Sequence, residues 1–212
     1  TSKISVFLHL NTEKPTYSGA LSVFKWRKTE IFEVPVEKDG INVDKFEKIL
    51  KKNNIKCFYT MSYFQNPTGI SCSNYKKIQI LKLAQIYDFY IIEDDYLSEL
   101  IYDNSIRYNS FKSLDNNDRV VYIKSFSKIF LPGIRIGYLI PPKKFKESIG
   151  TTFIEYLNRY RIQKAIELLQ DENNSIQDVA SKCGNWDYKY FGTVFRKYIG
   201  CSPSEYLREI SK

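Results

Sequence analysis

The sequence of 212 residues holds one histidine, His9. A single imidazole removes most Ser-His-Asp and Cys-His relays. Cysteine is sparse as well: Cys57, Cys72, Cys183 and Cys201 stand far apart with no CxxC spacing. Neither a disulfide framework nor a metal site is expected from that pattern. Long apolar runs are missing, since stretches such as Ile134–Pro142 fall far short of the ~20 residues a membrane helix needs. The N-terminus lacks a basic, then apolar, then small-residue pattern, so no membrane partner is expected and the chain reads as cytoplasmic. There is no internal repeat and no flexible Gly/Ser linker.

What is present is a composition of 43% hydrophobic and 26% charged residues, enough for one large domain or two small ones and not that of an extended disordered chain. The formal net charge is +8. Residues 151–212 carry nine Lys+Arg against eight Asp+Glu, so all but one unit of that charge belongs to residues 1–150. The basic residues there are dispersed rather than gathered in a stripe, which reads as a solvated basic face and not as a nucleic-acid footprint.

Between residues 20 and 140, short β-branched or aromatic runs alternate with amphipathic stretches, the pattern of an α/β fold with a mostly parallel sheet. Strands are expected at Glu30–Val36, Lys56–Tyr63, Phe89–Ile92, Val120–Lys124 and Ile134–Ile140. Helices are expected at Val43–Lys52, after Asn42, and at Asn74–Tyr87. Beyond Gly150 no strand is expected. Ile154, Leu157, Ile162, Ile166 and Leu169 follow a helical period over Phe153–Leu169, and Ser175 and Asp187 have the character of N-caps for two later helices, which together make a small all-α unit.

In open α/β sheets, ligand chemistry collects beyond the carboxyl ends of parallel strands. After Lys56–Tyr63 comes Asn66-Pro67-Thr68-Gly69, a turn with a candidate cis peptide bond that would aim the Asn66 amide into a cleft. After Ile91-Ile92 comes Glu93-Asp94-Asp95-Tyr96. After Val121-Tyr122-Ile123 comes Lys124-Ser125-Phe126-Ser127-Lys128, followed by Pro132-Gly133-Ile134-Arg135. An amine, a carboxylate, an amide, hydroxyls and a guanidinium on one sheet edge suit a phosphorylated, electron-withdrawing cofactor.

The order and spacing of these motifs, preceded by Lys14-Pro15-Thr16-Tyr17-Ser18-Gly19, resemble the fold-type I pyridoxal-phosphate-dependent aminotransferases. The likeness is greatest to the aminotransferase-like domains of MocR regulators and to aminoadipate-type aminotransferases, and it spans about residues 12 to 145. The resemblance implies pyridoxal 5'-phosphate as cofactor. Lys128 would be the catalytic lysine that forms an imine with it. Asp94 would pair with the pyridine nitrogen, Asn66 and Tyr96 would hydrogen-bond the phenolic oxygen, and Tyr17 would stack on the ring. Ser125 and Arg135 would hold the phosphate, with Ser127 as a further contact. The family also rests the phosphate on a Gly/Ser-rich turn ahead of the stacking aromatic, and Thr1–Asn11 contain no glycine.

The C-terminal part is similar to AraC-type transcription factors. Thr152–Ile162 resembles their linker helix; Ser175-Ile176, Val179-Ala180, Cys183-Gly184, Asp187, Tyr190-Phe191, Val194–Tyr198 and Ser202–Tyr206 resemble their second helix-turn-helix. In that resemblance Tyr188, Lys189 and Thr193 would meet major-groove base edges, while Arg196 and Lys197 would reach phosphates. Asn185 and Thr193 depart from the family pattern, and Gly192 weakens the recognition helix by roughly 0.5–1 kcal/mol relative to Ala.

The expected organisation is therefore a partial aminotransferase-like domain over residues 1–145, followed over 146–212 by the second half of an AraC-type DNA-binding domain. The expected function is a DNA-binding regulator acting as a homodimer on promoter DNA, with an amino acid as ligand or substrate. The alternative is a pyridoxal-phosphate-dependent aminotransferase, or an inactive remnant of one.

Overall fold

Asn42 accepts a hydrogen bond from Lys45 N at 2.8 Å and so satisfies a free N–H at the start of a helix, Val43–Lys52 (α2), whose apolar face buries Phe46 and Leu50. Elements formed in this local way build the computed structural model, which describes residues 9–100, 109–126, 128, 136–149, 153–171, 174–184 and 187–210. The chain divides into two compact units, residues 1–143 and 144–212.

In the first unit the described strands are β1 (His9–Lys14), β2 (Glu30–Glu37), β3 (Gly40–Ile41), β4 (Cys57–Thr60), β5 (Tyr90–Asp95), β6 (Val120–Ser125) and β7 (Gly137–Ile140). They form one sheet in the order β3-β2-β1-β4-β5-β6-β7. The pairings of β2, β1, β4, β5 and β6 are parallel, and the two flanking strands β3 and β7 pair antiparallel. The helices are α1 (Ser18–Trp26), α2, α3 (Asn74–Ile86) and the short α4 (Phe111–Leu114). One core cluster packs Phe46 against Phe58 and Phe89, with ring centroids 4.8 and 5.6 Å apart, and joins them to Val34, Ile80, Ile91, Phe111 and Val120. Each fully buried side chain of this kind contributes about 1.5–3 kcal/mol.

The helix expected at Val43–Lys52 has those bounds. The strand expected over Lys56–Tyr63 is shorter, Cys57–Thr60. The chain leaves the ladder after Thr60: Ser62 O takes Cys72 N at 2.9 Å and Phe64 turns to φ +47°. The strand expected at Phe89–Ile92 runs instead through Asp95, because its acidic residues find donors on both faces of the sheet. The early part of Ile134–Ile140 lies outside the described residues, and the strand is described from Gly137. β1 and α1 carry no sequence pattern that announced them. β1 is an interior strand between β2 and β4, yet its buried residues include Asn11, Thr12 and Glu13.

The helix α5 (Lys143–Ile149), which opens on two lysines, is followed in the second unit by α6 (Phe153–Leu169), α7 (Ile176–Lys182), α8 (Tyr188–Ile199) and α9 (Pro203–Ile210). Ser175 caps α7 with a reciprocal Ser175–Asp178 capping box, and Asp187 caps α8 by accepting from Tyr190 N at 2.9 Å. α8 ends at Gly200, whose φ of +92° takes the left-handed position that glycine occupies without strain. Ile162, Ala165, Leu169, Val179, Ala180, Phe191, Val194 and Phe195 form the core of this unit.

Candidate functional site

Five separate segments of the first unit line one cavity of about 400 Å³: Tyr17, Met61, Asn66, Asp94 with Tyr96, and Ser125 with Lys128. These residues lie at or beyond the carboxyl ends of β1, β4, β5 and β6, so parallel strand order gathers them at one sheet edge. Six of the seven residues expected at the cofactor site therefore meet. Arg135 and Ser127 lie outside the described residues, as does Asn185 in the second unit.

Strand alternation divides the ends of β4 to β6 between two faces. Tyr59 and Asp94 share the cavity side, where the Tyr59 phenol donates to Asp94 Oδ2 at 2.7 Å. Burial pushes the Asp94 carboxyl above the ordinary carboxylate range, the Tyr59 hydrogen bond opposes that shift, and the neighbouring Asp95 charge adds to it. A buried carboxylate in that state is favoured by a cationic partner. Burial also raises the Tyr96 phenol, helped by the Asp94 charge. Tyr96 donates to Phe64 O at 2.9 Å, at the start of the turn that carries Asn66 and its cis Asn66–Pro67 bond. Within that turn Gln65 Nε2 donates to Pro15 O at 2.6 Å and Gln65 Oε1 accepts from Thr68 N at 3.1 Å, which ties it to the segment before Tyr17. Lys128 is exposed and Tyr17 is 43% exposed, so the cavity has an open side.

On the opposite face, buried polar groups pair among themselves. Glu13, 4% exposed, accepts from Thr60 Oγ1 at 2.6 Å and Met61 N at 3.3 Å. Its burial raises the carboxyl pKa to about 7. Glu93 accepts from Ser62 Oγ at 2.5 Å and from the backbone N–H groups of Phe111 and Lys112. Sequence reasoning passed over Tyr59 and Met61. The alternation of buried Phe58 with its neighbours along β4 was the signal that places both on the cavity side.

In the second unit, Tyr188, Lys189, Thr193, Arg196 and Lys197 are all exposed on α8. Together with Gly192 and Ser202–Ser204 they line a groove of about 550 Å³. A Cβ built on Gly192 meets nothing within 4 Å. Two of the cations face carboxylates: Arg196 lies 3.6 Å from Glu205, and Lys197 lies 3.9 Å from Glu155. Among the described residues no helix is long and apolar enough to cross a membrane.

Comparison with known proteins matches both patterns. The family model for aminotransferase class I and II covers residues 11–175, and that for a helix-turn-helix domain covers residues 143–209. The aromatic-amino-acid aminotransferase 1 of Thermococcus litoralis is 37% identical over 138 residues, 63% of this chain and 33% of that protein. The uncharacterised HTH-type transcriptional regulator YcxD of Bacillus subtilis is 37% identical over 144 residues, 68% of this chain and 31% of that protein. The chain thus spans about one third of the length of these curated relatives. Among solved structures, the kynurenine aminotransferase of Pyrococcus horikoshii, in complex with PMP, superposes with a TM-score of 0.63 at 27% identity, over 97% of this chain and 46% of that one. The strand-end motifs and the family match, which takes in most of the sequence, agree: the chain belongs to the aminotransferase class I and II family and carries a helix-turn-helix domain at its C-terminal end.

Proposed function

We propose that this chain is a DNA-binding transcriptional regulator of the cytoplasm whose aminotransferase-like unit takes pyridoxal 5'-phosphate. The observation that carries the proposal is the convergence of Tyr17, Asn66, Asp94, Tyr96, Ser125 and Lys128 on one cavity, in a chain that also carries a capped helix-turn-helix. The donor set fits such a group. The volume lies in the range of small-ligand sites. Asp94 supplies a buried carboxylate for a ring nitrogen that carries a proton, and Asn66 supplies an amide donor for a phenolate oxygen, toward which Tyr96 would turn only on releasing Phe64 O. Ser125 supplies a hydroxyl, and Arg135 would add a guanidinium fork, for a phosphate. Tyr17 offers a ring face. Lys128 offers the primary amine that an aldehyde needs, and the bound cofactor supplies an electron sink for amino-acid chemistry. An amino acid is the ligand read by this unit.

For the second unit we propose contact with promoter DNA through the major groove, with Tyr188, Lys189 and Thr193 toward base edges and Arg196 and Lys197 toward phosphates. With residues 151–212 near neutrality and two of the cations facing carboxylates, one unit should bind weakly, so the proposed working form is a homodimer.

The test is to mix the protein with pyridoxal phosphate and follow the absorbance of the bound form, with Lys128→Ala as control. Absorbance lost in the variant supports the cofactor; no absorbance in the wild type, or an unchanged signal in the variant, removes it. Binding to a promoter fragment should weaken with salt and drop in Lys189→Ala and Arg196→Ala, and equal binding by the double variant sinks the recognition-helix assignment. The second reading, an aminotransferase, is favoured by the 37% identity to the Thermococcus litoralis enzyme. Release of a 2-oxo acid from an added amino acid selects it, and a spectral change without release selects the regulator.

A further inference from the structure

The ends of β5 and β6 carry a buried ion pair on the sheet face that does not line the cavity. Lys124 Nζ lies 3.2 Å from Asp95 Oδ2, and both side chains are 1% exposed. Removing two charges from water costs several kcal/mol, and their attraction offsets this only when further hydrogen bonds satisfy both groups. Here they do. Asp95 accepts from Tyr122 OH at 2.5 Å, from Ser98 Oγ at 2.6 Å and from Ser98 N at 3.0 Å. Lys124 donates to Ser98 Oγ and lies 3.4 Å from Glu99. Such pairs are weak sources of stability, and their best-attested use is to fix register.

The register they fix is that of the cavity. Asp95 stands opposite Lys124 in the β5–β6 ladder, so alternation puts Asp94 and Ser125, one residue away on each strand, on the cavity side. The Asp95 carboxylate also closes the turn from Asp95 to Ser98, in which Tyr96 sits. Tyr96 in turn holds Phe64 O and with it the turn of Asn66. One buried pair is therefore connected to four lining residues without touching the cavity.

We propose that the Lys124–Asp95 pair is the positioning element of the cavity, fixing Tyr96 directly and the Asn66 turn through it. The inference leans on the cofactor reading for what the cavity holds, whereas the positioning itself can be read in the ligand-free chain. Lys124→Met keeps the length of the stem and removes the charge. In ligand-free protein, amide exchange over residues 95–100 should speed up about ten-fold while Ile91 and Ile92 keep wild-type rates. In the presence of pyridoxal phosphate, the Lys128-dependent absorbance should need about ten-fold more cofactor to saturate, at a temperature where melting curves report a folded protein. If Lys124→Met does not fold, Ser98→Ala removes the shared hydroxyl more gently and should move both readouts the same way by about three-fold. Unchanged exchange over residues 95–100 overturns the proposal, and so does a uniform speed-up that includes Ile91 and Ile92. Absence of Lys128-dependent absorbance in the wild type overturns the cofactor reading alone, and the exchange data then decide the positioning role.

Discussion

Tyr59 and Asp94 sit on the adjacent strands β4 and β5, and the phenol of the first donates to the carboxylate of the second at 2.7 Å. That bond opposes the upward shift that burial imposes on Asp94. Tyr59→Phe should therefore raise the Asp94 pKa further, so that the carboxyl gives up its charge at a higher pH than in the wild type. Each unit by which the carboxyl rises is about ten-fold in its preference for the charged form, the form that pairs with a protonated ring nitrogen. The loss of cofactor affinity should grow as pH falls and shrink as pH rises. A pyridoxal phosphate titration at a lower and a higher pH measures it, and equal losses at both would contradict this role for Asp94.

Glu13 links stability to pH in the opposite sense from a paired surface acid. Its folded pKa, about 7, lies above its ordinary value of 4.5. Its contribution is therefore full below pH 4.5 and is lost as pH rises through 7. A shift of that size corresponds to a few kcal/mol. Glu13→Gln can turn its oxygen to Met61 N and its amide to Thr60 Oγ1, so it keeps both contacts without a charge. The variant should melt like the wild type near pH 4 and above it at pH 8. Parallel melting curves across that interval would reject the linkage.

Asn11 is fully buried in the interior strand β1, and among the described residues neither polar atom of its amide has a hydrogen-bond partner. It stands opposite Phe32 of β2 and Phe58 of β4. An unpaired buried amide costs about 1–3 kcal/mol, so Asn11→Val should stabilise the first unit by that order. Urea denaturation reads the change as a higher midpoint at constant slope.

The Arg196–Glu205 contact withholds part of a cation from the exposed face of α8. Glu205 also accepts from Ser202 N at 2.6 Å, and hydrogen bonding to Ser202 lowers its pKa. Glu205→Gln keeps an acceptor for that N–H and removes the charge. DNA affinity should rise about two- to five-fold at low salt, with a steeper dependence of log K on log salt. Fluorescence anisotropy across a salt series tests both, and an unchanged slope would mean that Arg196 makes no phosphate contact.

Much of this protein is legible from its sequence because local chemistry and tertiary need coincide. Asn42, Ser175 and Asp187 read as caps and act as caps, and α2 and α6 have the bounds that periodicity predicts. The cavity residues other than Met61 were legible because their motifs sit at strand ends and occur in order. β1 was not. Asn11, Thr12 and Glu13 are polar, and the strand forms because its neighbours on both sides supply the ladder and because Thr60 and Met61 satisfy Glu13. The Lys124–Asp95 pair was equally hidden, since a lysine and an aspartate 29 positions apart acquire meaning only when β5 and β6 lie side by side.

The helix α1 follows Tyr17 directly, yet none of its residues is buried, and Tyr17 at its N-cap makes no side-chain cap bond. Ala20 and Phe24 rest against the small cluster of Leu10, Tyr59 and Met61, while Val23 and Trp26 remain 57% and 63% exposed. A helix anchored so lightly belongs at the low end of the local opening free energies of a folded chain. The wall of the cavity that carries Tyr17 can therefore swing away while the sheet stays intact. Loosening of that helix would widen an opening the cavity already has, at a free-energy cost below that of unfolding the domain.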